Sequence, residues 1–124
     1  MQPTLVMEQC IFCLIAAKKA PAAFVYEGEE YFIIKPLDQL APVHLLVIPR
    51  RHFSSLNDLD PEDAALAGRL LMGARKAAEI AGIPDGFRTV INTGSKGGQT
   101  VFHLHIHVLG GAPLERSLLT KGLQ

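Results

Sequence analysis

Cysteine is scarce in this sequence: 124 residues hold only Cys10 and Cys13, separated by two others. A pair so close cannot tie distant parts of a fold together, so the chain is no disulfide scaffold. Without an export signal, the spacing reads as metal-binding or redox-active. Charge imbalance is missing too, with twelve Lys plus Arg against twelve Asp plus Glu. That balance speaks against a broad nucleic-acid footprint and against electrostatic docking on a membrane. No apolar run approaches the ~20 residues that span a bilayer. Met1–Gln9 lacks the basic and apolar regions of a secretory leader, so the expected compartment is the cytoplasm. Internal repeats, linkers and low-complexity tracts are absent as well. What remains is a chain of single-domain length, 48% apolar, which suffices for one packed core.

Cys10–Ala20 reads as a short helical or turn segment ended by Pro21. Ala23–Glu27 and Tyr31–Lys35 are predicted strands joined by a turn, and Val43–Ile48 is a third apolar run closed by Pro49. The clearest helix spans Asp60–Ala81. Asp60 is placed to cap it, Pro61 suits its first position, and Glu62 and Asp63 complement its dipole. Leu66, Leu70, Ala77 and Ile80 recur on one face, and Gly82 with Pro84 ends the helix. Phe87–Thr93 and Val101–Leu109 are the fourth and fifth predicted strands. The expected class is α+β, with a five-stranded, mainly antiparallel sheet, one long helix and a short N-terminal helix.

Three of the five histidines occupy alternate positions in His103-Leu104-His105-Ile106-His107-Val108-Leu109. The intervening residues are apolar and partly β-branched, which predicts a strand. Its imidazoles would form one row, with Leu104, Ile106 and Val108 in the core. A two-residue step is roughly 6.6 Å, so His103 and His107 are expected about 13 Å apart along the backbone. Gathering all three on one zinc, at bonds of about 2.0–2.1 Å, would be hard. The row therefore suggests imidazoles with different jobs. Just upstream lies Asn92-Thr93-Gly94-Ser95-Lys96-Gly97-Gly98-Gln99-Thr100. Its amides and its Asn92, Ser95 and Thr100 side chains suit phosphate oxygens. It is not a Walker loop, because the strand–loop–helix context and the Gly-Lys-Ser/Thr ending are both missing.

His-Leu-His-Ile-His-Val-Leu resembles the His-φ-His-φ-His-φ-φ motif of the histidine triad (HIT) family, where φ is an apolar residue. The chain is most similar to the Hint branch of that family, the purine nucleoside phosphoramidate hydrolases. Supporting segments are Cys10-Ile11-Phe12-Cys13, Ala41-Pro42-Val43-His44, Val47-Ile48-Pro49-Arg50-Arg51-His52 and Gly97-Gly98-Gln99-Thr100-Val101-Phe102. Their order and separations hold from about Cys10 to Gly111. The resemblance implies a single HIT-like domain over residues 1–124, with a motif-bearing core at 10–111 and a divergent tail at 112–124. It implies that His105 attacks the α-phosphorus of a purine nucleoside 5′-phosphoramidate, or of an aminoacyl-adenylate, and expels the leaving group. Water then releases the nucleoside monophosphate, AMP or GMP, from a nucleotidyl-histidine intermediate. Neutral imidazole is nucleophilic near its ordinary pKa of about 6.5, and covalent catalysis divides one displacement into two easier ones.

By the same resemblance His107 and His44 stabilise phosphate and handle protons, and Asn92, Gly98, Gln99 and Thr100 contact the phosphate. Ile11 and Phe12 either line the nucleobase pocket or pack in the core. Cys10 and Cys13 supply only two thiolates, and His52 and His103 stand where zinc-bearing members supply the remaining ligands. A Cys2His2 site is closed and structural; no organic cofactor is expected. A homodimer through the Asp60–Ala81 helix and the fourth strand is implied too. Two departures stand out. Lys35 occupies the position of a ribose-binding aspartate, with one extra residue before Ala41-Pro42 and Asp38 as a substitute. The tail also lacks the branch's Trp-Pro-Pro-Gly-like ending, since the chain has no tryptophan. Competing readings are a dinucleoside polyphosphate hydrolase, a nucleotide-binding regulatory module with little turnover, and a zinc-stabilised adaptor that binds no nucleotide.

Overall fold

A computed structural model describes residues 9–114; the expectations for the tail beyond Leu114 lie outside the described residues. The order is α1 (Ile11–Ala16), β1 (Ala23–Glu27), β2 (Tyr31–Lys35), β3 (Val43–Pro49), α2 (Ala64–Ile80), β4 (Phe87–Val90) and β5 (Ile106–Gly110). The five strands form one sheet in the order β1-β2-β3-β5-β4. Every neighbouring pair is antiparallel, as expected for this α+β class. No helix among the described residues is long and apolar enough to cross a membrane.

Side-chain alternation sorts the strand residues onto two buried faces. Ile33, Leu45, Val47, Ile106 and Val108 pack under Leu70, Ala74, Ala77 and Ala78 of α2. On the opposite face Phe32, Ile34, Leu46 and Ile48 pack under Phe12 and Ile15 of α1. Because β3 is central and covered on both sides, its sequence is a continuous apolar run rather than an alternating one. Small residues let α2 lie close to the sheet. A Cβ added at Gly73 would come within 2.8 Å of the Tyr31 ring, so even alanine there would force the ring to move. The helix starts where the sequence indicates. Asp60 caps a 3-10 turn at Pro61–Asp63 that leads into α2. The Asp63 carboxylate accepts from the Asp60 N–H at 2.9 Å and from Arg51 at 3.0 Å. Gly82, at φ +76°, takes the left-handed conformation that stops the helix.

Several boundaries differ from the expectations. Ile80 is 49% exposed, because the buried face of α2 is centred between Ala74 and Ala77 and leaves it at the margin. The fourth strand ends at Val90 rather than Thr93. The fifth begins at Ile106, not Val101. Val47 and Ile106 form the last rung between β3 and β5, and two residues beyond Val47 stands Pro49, which has no N–H to donate. Residues 101–105 leave the ladder there, and the Leu104 N–H donates instead to the Phe53 carbonyl at 2.7 Å. Leu104 still lies in the core beneath α2 with Ile106 and Val108, so alternation outlasts the strand.

Candidate functional site

With Leu104, Ile106 and Val108 committed to the α2 face, His103, His105 and His107 turn to the face covered by α1. They do not form one row. The Phe12 ring stands edge-on to both His103 and His105, with centroids 5.8 and 5.2 Å away. His105 and His107 adjoin each other at 4.9 Å, and His44 from β3 joins them. These three line a cavity of about 1040 Å³ whose walls include Ile11, Phe12, Ile15 and Leu46. A mostly apolar wall with a few convergent polar groups is the usual make-up of a small-molecule site.

Hydrogen bonds define which ring nitrogen carries each proton. The Leu40 N–H donates to His44 Nδ1 at 3.2 Å, so the proton of a neutral His44 sits on Nε2. That nitrogen is 3.0 Å from His107 Nδ1 and donates to it. His107 therefore carries its own proton on Nε2. This atom is buried with no hydrogen-bond partner among the described residues, as is Asn92 Nδ2. Buried donors without partners are costly, and an acceptor oxygen in the cavity would satisfy the one on His107, which lines it. His105 Nδ1 lies 2.7 Å from the His103 carbonyl, which can only accept. A neutral His105 thus keeps its lone pair on Nε2. Leu40 and the His103 carbonyl act through backbone atoms, and no residue-type signal in the sequence marks them.

Burial pushes His44 down to about 4, with neighbouring His105 adding to the effect. His107 is pushed to about 3, first by burial and then by His105 and His44. Both rings are neutral bases at pH 7. The linkage sign follows from their depressed values. The unfolded chain binds protons below about pH 6.5 while the folded chain resists, so stability is complete above that window and falls with pH inside it. In urea unfolding, each ring should remove up to about 1.4 kcal/mol per pH unit between about pH 6 and about 4.5. His107→Asn should remove one ring's share of that slope. An identical slope in the variant would contradict a neutral, buried His107.

The Gly-rich loop folds on itself. The N–H groups of Gly97, Gly98 and Gln99 donate to carbonyls of Gly94 and Ser95, so those amides do not face a ligand. Gln99, expected at the phosphate, is 2% exposed. Its Oε1 accepts from the Gly94 N–H, and its Nε2 donates to the Ser54 and Val101 carbonyls. Its side chain braces the loop, because both ends of the amide already have partners. The loop reaches the cavity through Val101, whereas Asn92, Gly98 and Thr100 are not among the lining residues.

On the other side of Phe12, Cys10, Cys13, His52 and His103 offer four ligand atoms within 4.8 Å of one another. Cys10 Sγ is 3.2 Å from His103 Nδ1, and Cys13 Sγ is 3.3 Å from His52 Nδ1. The two Nδ1 atoms are 3.2 Å apart. A tetrahedron built on zinc bonds of about 2.3 Å to sulfur and about 2.0 Å to nitrogen has N–N and S–N edges of about 3.3–3.5 Å. The cluster fits. His103 Nε2 donates to the Pro49 carbonyl at 2.8 Å, which leaves Nδ1 unprotonated for a metal and orients the ring. Pro49, the last residue of β3, thus holds a ligand in place through its carbonyl.

Residues 17–114 match the HIT domain family. The chain is similar to Protein HitA of Neisseria gonorrhoeae, at 50% identity over 104 residues covering 84% of this chain and 97% of that one. Its fold is similar to a HIT family hydrolase from Legionella pneumophila, with a TM-score of 0.84 and 38% identity, covering 86% of this chain and 96% of the other. A zinc-bound histidine triad family protein from Mycobacterium smegmatis superposes with a TM-score of 0.68 at 38% identity, covering 81% and 73%.

Proposed function

The chain belongs to the HIT domain family, and from that premise we propose that it is a nucleotide hydrolase acting on purine nucleoside 5′-phosphoramidates such as adenosine phosphoramidate, and on the related acyl phosphates, the aminoacyl-adenylates. The observation that carries this reading is the pair of ring atoms on the cavity wall. His105 keeps a lone pair on Nε2, and His107 presents a buried Nε2–H without a partner among the described residues. A nucleophile beside a preorganised donor is what phosphoryl substitution requires.

In the first step His105 Nε2 bonds to the α-phosphorus while the phosphorus–nitrogen bond to the leaving amine breaks. The amine departs with the electron pair and takes up a proton. His107 Nε2–H donates to a phosphoryl oxygen, with Asn92 Nδ2 as the second donor assigned to that group. The His44–His107 pair passes proton density along its hydrogen bond. Water then attacks phosphorus, the bond to His105 breaks, and the nucleoside monophosphate leaves. Ile11 and Phe12 face the nucleobase. Lys35, at the end of β2, borders the cavity and carries a cation where an acid would be needed for ribose hydroxyls. Asp38 also borders the cavity and is the acid we assign to the ribose hydroxyls.

Cys10, Cys13, His52 and His103 are assigned to a structural Zn2+, which when bound supplies a closed tetrahedral crosslink and no reactive position. A homodimer is supported by the half-exposed Leu71, Met72 and Ile80 on α2 and Phe87 on β4, and by the place of β4 at the sheet edge; a monomeric mass in sedimentation would remove this part of the reading. Two reduced thiols suit the cytoplasm.

The test is release of AMP from adenosine 5′-phosphoramidate, set beside cleavage of a dinucleoside polyphosphate. Faster turnover of the phosphoramidate supports the proposal. Preference for the polyphosphate moves the protein to the other hydrolase class. Tight AMP binding with negligible turnover of both would make it a regulatory module.

A further inference from the structure

The metal cluster and the nucleotide cavity share a wall, α1. That helix has six residues, too few to be stable unaided. Its first turn is instead tied down by the cluster: Cys10 is the N-cap, and its Sγ accepts from the Cys13 N–H at 3.3 Å. The two residues between the thiols are Ile11 and Phe12, and both line the cavity. Holding Cys10 and Cys13 on one ion therefore holds the two residues that face the nucleobase.

His103 makes a second connection. Its Nδ1 points into the cluster, while its carbonyl accepts from His105 Nδ1. The Phe12 ring, only 7% exposed, fills the space between the two histidines. It meets each ring at an interplanar angle of 80°. A shift of the cluster thus reaches the cavity by packing and by hydrogen bonding together.

Building on the nucleotide reading above, we propose that cation occupancy at Cys10, Cys13, His52 and His103 is thermodynamically linked to nucleotide binding, with Phe12 as the positioning residue that couples the two sites. Linkage is reciprocal: the factor by which the metal strengthens nucleotide binding equals the factor by which the nucleotide strengthens metal binding. The site then regulates nucleotide affinity in addition to stabilising the chain.

The experiment uses the full chain with AMP and Zn2+ as probes. AMP affinity is measured by calorimetry with zinc bound and after chelation, and zinc affinity by chelator competition with and without AMP. Chelation should weaken AMP binding about 5- to 150-fold, the usual span of such couplings. AMP should tighten zinc by the same factor. Equal AMP affinity with and without zinc, in protein that circular dichroism shows folded, overturns the linkage and leaves the nucleotide reading standing. No AMP binding in either form overturns that reading and the linkage with it. Phe12→Leu should still bind one zinc while the factor shrinks toward one. An undiminished factor in that variant removes Phe12 from the coupling, and the two wild-type measurements decide the linkage if the variant does not fold.

Discussion

His105→Asn is expected to lower turnover of adenosine 5′-phosphoramidate by about 10⁴-fold or more, the scale reached when a covalent nucleophile is removed. The substitution is chosen from the geometry. An asparagine amide can still donate to the His103 carbonyl, as His105 Nδ1 does at 2.7 Å, so the local backbone keeps its hydrogen bond. What disappears is Nε2 and its lone pair. Thermal unfolding should therefore change little while the chemical step is lost. Removing His107, by contrast, deletes a donor to the phosphoryl group and should cost about 10²–10³-fold, as for other preorganised oxyanion contacts. Equal turnover by wild type and His105→Asn would refute His105 as the nucleophile. A folded variant without activity would place the covalent step on this residue, between the Phe12 and His107 rings.

Removing the metal, or one of its thiolates, should have the largest effect on stability. A ligand bound only by the folded chain at 1,000 times its dissociation constant stabilises that chain by about 4 kcal/mol. For a domain of this size, that loss corresponds to a fall in Tm of roughly 10–20 °C. Cys13→Ala is the stringent case, because Cys13 is buried at 3% exposure and its Sγ meets both His52 and His103. We expect chelation of the wild type and Cys13→Ala to give similar Tm values, and added zinc to restore only the wild type. kcat at saturating substrate should change far less than Tm, since His105 and His107 belong to the cavity and not to the cluster. A large kcat loss with unchanged Tm would mean that the structural and chemical sites had been exchanged.

The local pattern was informative wherever one period decided the outcome. Alternation through Leu104, Ile106 and Val108 assigns the histidines to the opposite face, and the structure keeps that sorting even where β5 has not begun. Asp60, Pro61 and Gly82 mark the ends of α2 because capping and a left-handed stop are properties of single residues. The Cys10–Cys13 spacing puts both thiols on one turn, which needs no tertiary information.

Tertiary structure decided the rest. The histidine row divides into a metal ligand and two cavity rings because Phe12, from a helix some 90 positions earlier in the chain, stands between them. The sequence spacing alone cannot show that insertion. Gln99 turns inward because the Ser54 carbonyl, 45 residues away, meets its amide. Proton positions on His44 and His107 depend on the Leu40 N–H and on the pairing of Leu46 with His107 across the sheet. Residue type and spacing by themselves determined which side chains face which way and which chemistry is available. The register of β3 against β5 and the docking of α1 decided which nitrogens meet, because those contacts join residues separated by 39 to 93 positions in the chain.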